Sequence, residues 1–460
     1  MRTMSAGRSN RPAHLSFLKG SLAAITVLAM VPTGAQAQRG SGGIESAIRS
    51  ASGAERDLRD FYQARGNRPL WIRGSQLGPE ADLLLDLIQT AEVEGLDPDT
   101  YRPRALESAV RKADGGSPRA LARAEMLLSR TFAAYSRDVR RPRDVGMIYV
   151  DKALAPAVPT ASAMLQAAAS APSLEQHLEG FGWMHPVYGQ LRRALASARY
   201  DRTLGPQQEQ ILRVNLERAR VLPGVNRGRH VLVDVASARL WMYEDGRVQD
   251  TMKVVVGKST EQTPMMAGLI RFTMVNPYWN IPPDLARVRA AEVVKKGPAF
   301  LKARRYEALS DWSEDAKVLK PSEVDWKAVA AGRKELPMRQ LPGKDNAMGK
   351  MKFMFPNEQG IYLHDTPERN LFAKAERRFS SGCVRVEDAA RLAKWLFEKP
   401  LPVPAGGKEK RVDLPEPVPV YITYLTAAPE GERIAFRSDP YNRDRTQMAG
   451  LGLGGAGGGR

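Results

Sequence analysis

Two side chains in this 460-residue sequence have the types and spacing for nucleophilic catalysis. They are His364, in "GIYLHDTP", and Cys383, in "RRFSSGCVRVED", 19 residues further on. A histidine can take a thiol proton, and the thiolate left behind can form a covalent acyl intermediate. Cys383 is the sole cysteine. It cannot close an internal disulfide, so it is either a small buried hydrophobe or a free thiol kept for chemistry. Its neighbours favour chemistry. Ser380, Ser381 and Gly382 leave the sulfur approachable and let backbone amides of that turn come close to a substrate oxygen, where they could stabilise a tetrahedral oxyanion.

Period-two geometry puts Arg385 on the face of Cys383 and Tyr362 on the face of His364. Arg385 is expected to lower the thiol pKa, hold a substrate carboxylate or form a structural ion pair. Tyr362 is expected to touch substrate or to pack. Asp365 is adjacent to His364, but neighbouring strand residues point to opposite faces, which disfavours it as the orienting group. Trp279, in "NPYWNIPP", is placed in a substrate groove, with a core anchor as the alternative. Asn346, Gly343 and Gly349 in "PGKDNAMG" read as a tight turn. His177 and His185 read as packing or surface residues, and His230 as structural. No Cys/His ligand set or acidic cluster suggests a metal, and no cofactor is expected.

The elements that must carry these residues fall into two halves. Over residues 51–225 the pattern is helical. "PEADLLLDLIQTAEVEG" spaces Leu84, Leu87, Ile88 and Ala91 on one face and stops at Gly95, while Pro118 opens a helix whose Leu121, Leu128, Phe132 and Tyr135 align. From residue 228 the pattern alternates, and Asp245-Gly246 marks a hairpin. Strand-like segments continue to 427, interrupted at 284–350 by a charged, partly helical, lid-like insertion. "EDAARLAKWLFEK" reads as a helix following Cys383. The fold class is α+β: a mostly helical N-terminal domain, then a β-rich domain bearing the candidate site. Residues 38–50 read as a flexible linker and 428–460 as a tail with a disordered glycine-rich end.

Residues 1–37 combine Arg2, Arg8, Arg11 and Lys19 with a ten-residue apolar core from Leu22 to Val31 and "AQA" before Gln38. This is the layout of a secretory signal peptide. The formal charge is +18, or +14 once the four leader cations are set aside. An exported basic chain favours acidic envelope polymers or membrane surfaces as partners. No nucleic-acid motif is present, and the apolar core is too short to span a bilayer.

"YLHDTP" followed by "SSGCVRV" resembles the signature of L,D-transpeptidases, the YkuD-type catalytic domain. Ser381 stands where most members carry a second histidine, a departure that resembles the large YcbB-like proteobacterial branch. "VVVGKSTEQTP", "NPYWNIPP", "PGKDNAMGKMKFMFPN" and "PVPVYITYLTA" also match that branch, and "FYQARGNRPLWI" and "AEVEGLDPDTY" are similar to its scaffold region. The resemblance spans about residues 55–445. A separate peptidoglycan-binding module is not found between "YGQLRRAL" and "NLERARVLP".

The resemblance implies a peptidoglycan L,D-transpeptidase of the periplasm, in which Cys383 is the nucleophile, His364 the general acid/base and Gly382 a backbone oxyanion donor. Arg385, Tyr362, Ser381 and Trp279 are the candidate substrate contacts. The implied product is a 3→3 diaminopimelate cross-link, made through a thioester with release of D-alanine. An L,D-carboxypeptidase or an enzyme attaching a protein to peptidoglycan would share these residues. A non-catalytic wall-binding scaffold is the alternative of another class. Peptidoglycan stem peptides and cell-wall synthesis proteins are the expected partners. A sortase does not match the motif or its spacing, and a papain-like protease places its cysteine before its histidine.

Overall fold

The computed structural model describes residues 34–452, save 54, 225–227 and 432. Most of the expected leader (1–33) and the glycine-rich end (453–460) lie outside the described residues.

The helical half forms where the caps and periodicity place it. Ser117 accepts from the Ala120 amide and Pro118 opens the helix Pro118–Arg140, which buries Leu121, Leu128, Phe132 and Tyr135. Leu84, Leu87 and Ile88 are buried on the helix Glu80–Gln89, and Gly95 ends the next turn in the left-handed region at φ 71. The centre of this half also holds buried charges that are held by specific partners. Glu125 accepts from the Tyr62 hydroxyl at 2.6 Å and the Trp71 amide at 3.0 Å. Arg220 pairs with Glu217 at 2.7 Å and donates to the Glu94 carbonyl at 2.9 Å.

Two expectations fail at the ends. Residues 38–50 are not a flexible linker but part of a helix, Gly34–Ser52. Its Ile44 and Ile48 are buried against Pro118–Arg140, and that apolar anchorage outweighs the poor helix propensity of its glycines. Residues 428–452 are not a tail. They form a hairpin, Ala427–Glu430 with Arg433–Phe436, and a helix, Arg443–Gly450, tied to the helical half by the Arg218–Asp444 ion pair at 2.6 Å.

The β-half is a sheet closed on itself. In order, the strands are Met351–Met354, Leu363–His364, Val384–Val386, Arg247–Gly257, Arg239–Glu244, His230–Asp234, Lys410–Thr423 and Met266–Val275, and the last pairs back with the first. Closure leaves no free edge along that ring. Asp245 and Gly246, both at positive φ, make the hairpin turn after Glu244. Valines 231, 233, 254 and 256, Leu240 and Phe353 fill the core, and the helix Ala389–Phe397 covers it with Ala389, Leu392 and Leu396. The helical half also contributes a strand, since Ile148–Tyr149 pairs in parallel with Met266–Val275.

The insertion has a core of its own. The strands Trp279–Ile281, Met338–Gln340, Tyr306–Leu309 and Val318–Leu319 form a small sheet against the helices Pro283–Lys296 and Trp326–Ala330. Asn346 is buried and donates to the carbonyls of Pro277, Gln340 and Leu341, which builds the turn expected there.

Candidate active site

The site lies where three strands of the closed sheet run side by side. Leu363–His364 pairs in parallel with Val384–Val386, matching Leu363 to Val384 and His364 to Arg385. On its other side it pairs antiparallel with Met351–Met354, matching His364 to Lys352. Paired residues share a sheet face, and so do residues two apart. Tyr362, His364, Lys352, Arg385 and Cys383 therefore gather on one face. Sequence spacing brought four of these together; Lys352 joins them only through strand register.

His364 is buried at 2 % exposure, and its Nδ1 lies 2.6 Å from the Asp365 carbonyl. That contact assigns the ring hydrogen to Nδ1 and leaves Nε2 with its lone pair. Asp365 thus orients the imidazole through its backbone. Its carboxylate is engaged elsewhere, accepting from the Lys350 amide and from Arg369, each at 2.8 Å. Burial, the Arg385 guanidinium and the Lys352 ammonium hold His364 neutral, with its pKa pushed down to about 3.

Cys383 is half-buried, and its Sγ lies 3.5 Å from the Gly360 carbonyl. Burial pushes the thiol pKa up. The Tyr362 amide, the Lys352 ammonium, the Tyr362 hydroxyl and the Arg385 guanidinium all act the other way, favouring thiolate. Lys352 holds its ammonium 3.9 Å from the centroid of the Tyr362 ring. Tyr362 in turn stands edge-on to His364, with centroids 5.7 Å apart. The site therefore combines a neutral imidazole with two cations.

The other expected residues take more specific places. Gly382 has φ +108, and its amide donates to Ser380 Oγ at 3.3 Å, while the Cys383 amide, the other candidate oxyanion donor, has no backbone partner among the described residues. Ser381 is exposed and hydrogen-bonds Glu261, which lies 2.6 Å from Lys258. Arg385 forms an ion pair with Glu368 while its charge still acts on His364 and Cys383. Trp279 does not line a groove. At 9 % exposure it is an anchor in the insertion's core, where a large ring between prolines removes more apolar surface from water. Among the described residues, no group of three or more His, Cys, Asp or Glu could hold a metal ion, and no helix is long and apolar enough to cross a membrane.

Residues 228–420 match the family model of the L,D-transpeptidase catalytic domain, YkuD, and residues 56–195 match that of a scaffold domain. A Haemophilus influenzae protein provisionally named an L,D-transpeptidase is 33 % identical over 243 residues, 51 % of this chain and 48 % of that protein. The chain thus aligns with about half the length of that curated relative. Similar solved structures include an L,D-transpeptidase from Mycobacterium smegmatis (14 % identical, TM-score 0.21, covering 42 % of this chain and 59 % of that one). A mutant of the Enterococcus faecium L,D-transpeptidase is also 14 % identical, with TM-score 0.19 over 43 % of this chain and 50 % of that one. The chain carries a YkuD-family L,D-transpeptidase catalytic domain preceded by a helical scaffold domain.

Proposed function

We propose that this chain cross-links peptidoglycan by L,D-transpeptidation, with Cys383 as nucleophile and His364 as general acid/base. The observation that carries the reading is the pairing of Leu363–His364 with Val384–Val386 beside Cys383, with His364 Nδ1 tied to the Asp365 carbonyl. Nε2 takes the thiol proton as Sγ bonds to the carbonyl carbon at the L-centre of diaminopimelate in a tetrapeptide stem. The bond to terminal D-alanine breaks, the proton passes to the leaving amine, and a thioester remains on Cys383. The side-chain amine of a second stem's diaminopimelate then attacks the thioester. Nε2 removes its proton, the thiol is regenerated, and a 3→3 cross-link results. Because His364 is neutral at rest, Lys352 rather than an imidazolium is the cation nearest in role to a counter-ion for a resting thiolate.

An exported, periplasmic location accords with the basic, apolar and small-residue layout of residues 1–37. The test is to incubate the mature protein with disaccharide-tetrapeptide and weigh the products. Dimers lacking one D-alanine are expected. Tripeptide alone would make the enzyme an L,D-carboxypeptidase, and identical mixtures from wild type and Cys383→Ala would overturn the enzymatic reading.

A further inference from the structure

The loop between Arg247–Gly257 and Met266–Val275 reaches the nucleophile turn through one hydroxyl. Thr263 is fully buried. Its Oγ1 donates to the Gly382 carbonyl at 2.7 Å and accepts from the Gly257 amide at 2.9 Å. Ser380 grips the turn as well, its Oγ donating to the Cys383 carbonyl at 2.6 Å and accepting from the Gly382 amide at 3.3 Å. Gly257 makes the approach possible, because a Cβ there would stand 2.6 Å from the Thr263 nitrogen. Tyr441 closes the loop from behind, donating to the Gly257 carbonyl and lying 3.4 Å from the Thr263 amide.

Peptide planarity converts these contacts into a direction. In a trans peptide the carbonyl of one residue and the amide of the next point opposite ways. Fixing the Gly382 carbonyl on Thr263 therefore aims the Cys383 amide away from the loop, and among the described residues that amide has no backbone partner. A nucleophile's own amide is well placed to donate to the oxygen of the carbonyl it attacks, provided its plane is held in advance.

We propose that Thr263 is a positioning residue of the oxyanion site, its hydroxyl setting the Gly382–Cys383 peptide plane so that the Cys383 amide meets the developing oxyanion. This rests on reading Cys383 as an acyl-forming nucleophile. Two reactions of the same sulfur separate the role from general support of the fold. Acylation by the carbapenem imipenem bonds Sγ to the lactam carbonyl carbon, breaks the ring C–N bond, moves the thiol proton to the ring nitrogen, and passes through an oxyanion. Alkylation by iodoacetamide bonds Sγ to a methylene and expels iodide without one.

In the full chain, Thr263→Val and Thr263→Ala are expected to slow acylation about 10- to 100-fold while alkylation stays within about twofold of wild type, and Thr263→Ser should restore acylation. Loss of both rates together, or acylation unchanged in both hydroxyl-free variants, would overturn the proposal. A wild-type chain that is alkylated but never acylated would instead overturn the acyl-enzyme reading, and this inference with it.

Discussion

Replacing His364 by glutamine is expected to slow acylation of Cys383 by about a thousandfold at neutral pH, the middle of the range for loss of a general base. The pH dependence is the sharper part of the expectation. In the wild type the imidazole is neutral above a pKa of about 3, while burial keeps the thiol protonated at neutral pH. Both partners therefore hold one protonation state across the working range, and the wild-type acylation rate should be nearly flat from about pH 5 to pH 8. Without the base, reaction must go through the small thiolate fraction, so the His364→Gln rate should rise about tenfold per pH unit. Lys352→Met in that background should lower the whole line, because the ammonium favours thiolate. Stopped-flow acylation by a carbapenem over pH 5–8 measures both. A His364→Gln rate equal to wild type and flat with pH would remove His364 from the mechanism.

The second large effect is on stability and concerns histidines far from the chemistry. His177 is buried among Phe132 and Trp183, and burial pushes its pKa down to about 4. His230 is also lowered to about 4 by burial, stacks on Tyr243, and faces His185 across the junction of the two halves with Nε2 atoms 3.4 Å apart. His185 is lowered as well, by burial and then by His230. The folded pKa values lie below the unfolded value of about 6.5. Between those values the unfolded chain binds protons that the folded chain refuses, so this contribution to stability is intact above pH 6.5 and falls as pH drops towards 4.

Each of the two histidines lowered to about 4 should cost about 1.4 kcal/mol per pH unit, or roughly 2 kcal/mol by pH 5. Buried Glu94, Glu125 and Asp234, raised by burial, titrate in the opposing sense, so the clean measurement is a difference. His177→Gln and His230→Gln, neutral at every pH, should each lose roughly 2 kcal/mol less than wild type between pH 7.5 and pH 5 in chemical denaturation. Equal losses in wild type and variants would contradict the assignment.

The features legible in the sequence were those whose signal is local. A proline behind a serine started a helix at 118, Asp245-Gly246 turned a hairpin, and a histidine closing an apolar strand before "SSGC" marked the candidate nucleophile and base that strand pairing places side by side. The missed features depend on pairing between distant segments. Lys352 is an ordinary lysine in "KMKFMF" until antiparallel register sets it opposite His364. Thr263 bonds a carbonyl 119 residues away. Trp279 belongs to the insertion's core because that insertion folds a sheet of its own, which no residue near 279 signals. Composition misled at both ends, since two isoleucines anchor the helix Gly34–Ser52 and Tyr441 and Asp444 anchor the last residues described.

The central claim is that a stem peptide passes through a thioester on Cys383, and peptide-mapping mass spectrometry tests it most directly. The full chain would be mixed with disaccharide-tetrapeptide, quenched in acid within seconds, digested and mapped. The account predicts an adduct equal to the substrate minus D-alanine on the peptide containing Cys383, and none with Cys383→Ala. Release of D-alanine with no adduct on that peptide, and at the same rate in Cys383→Ala, would contradict it.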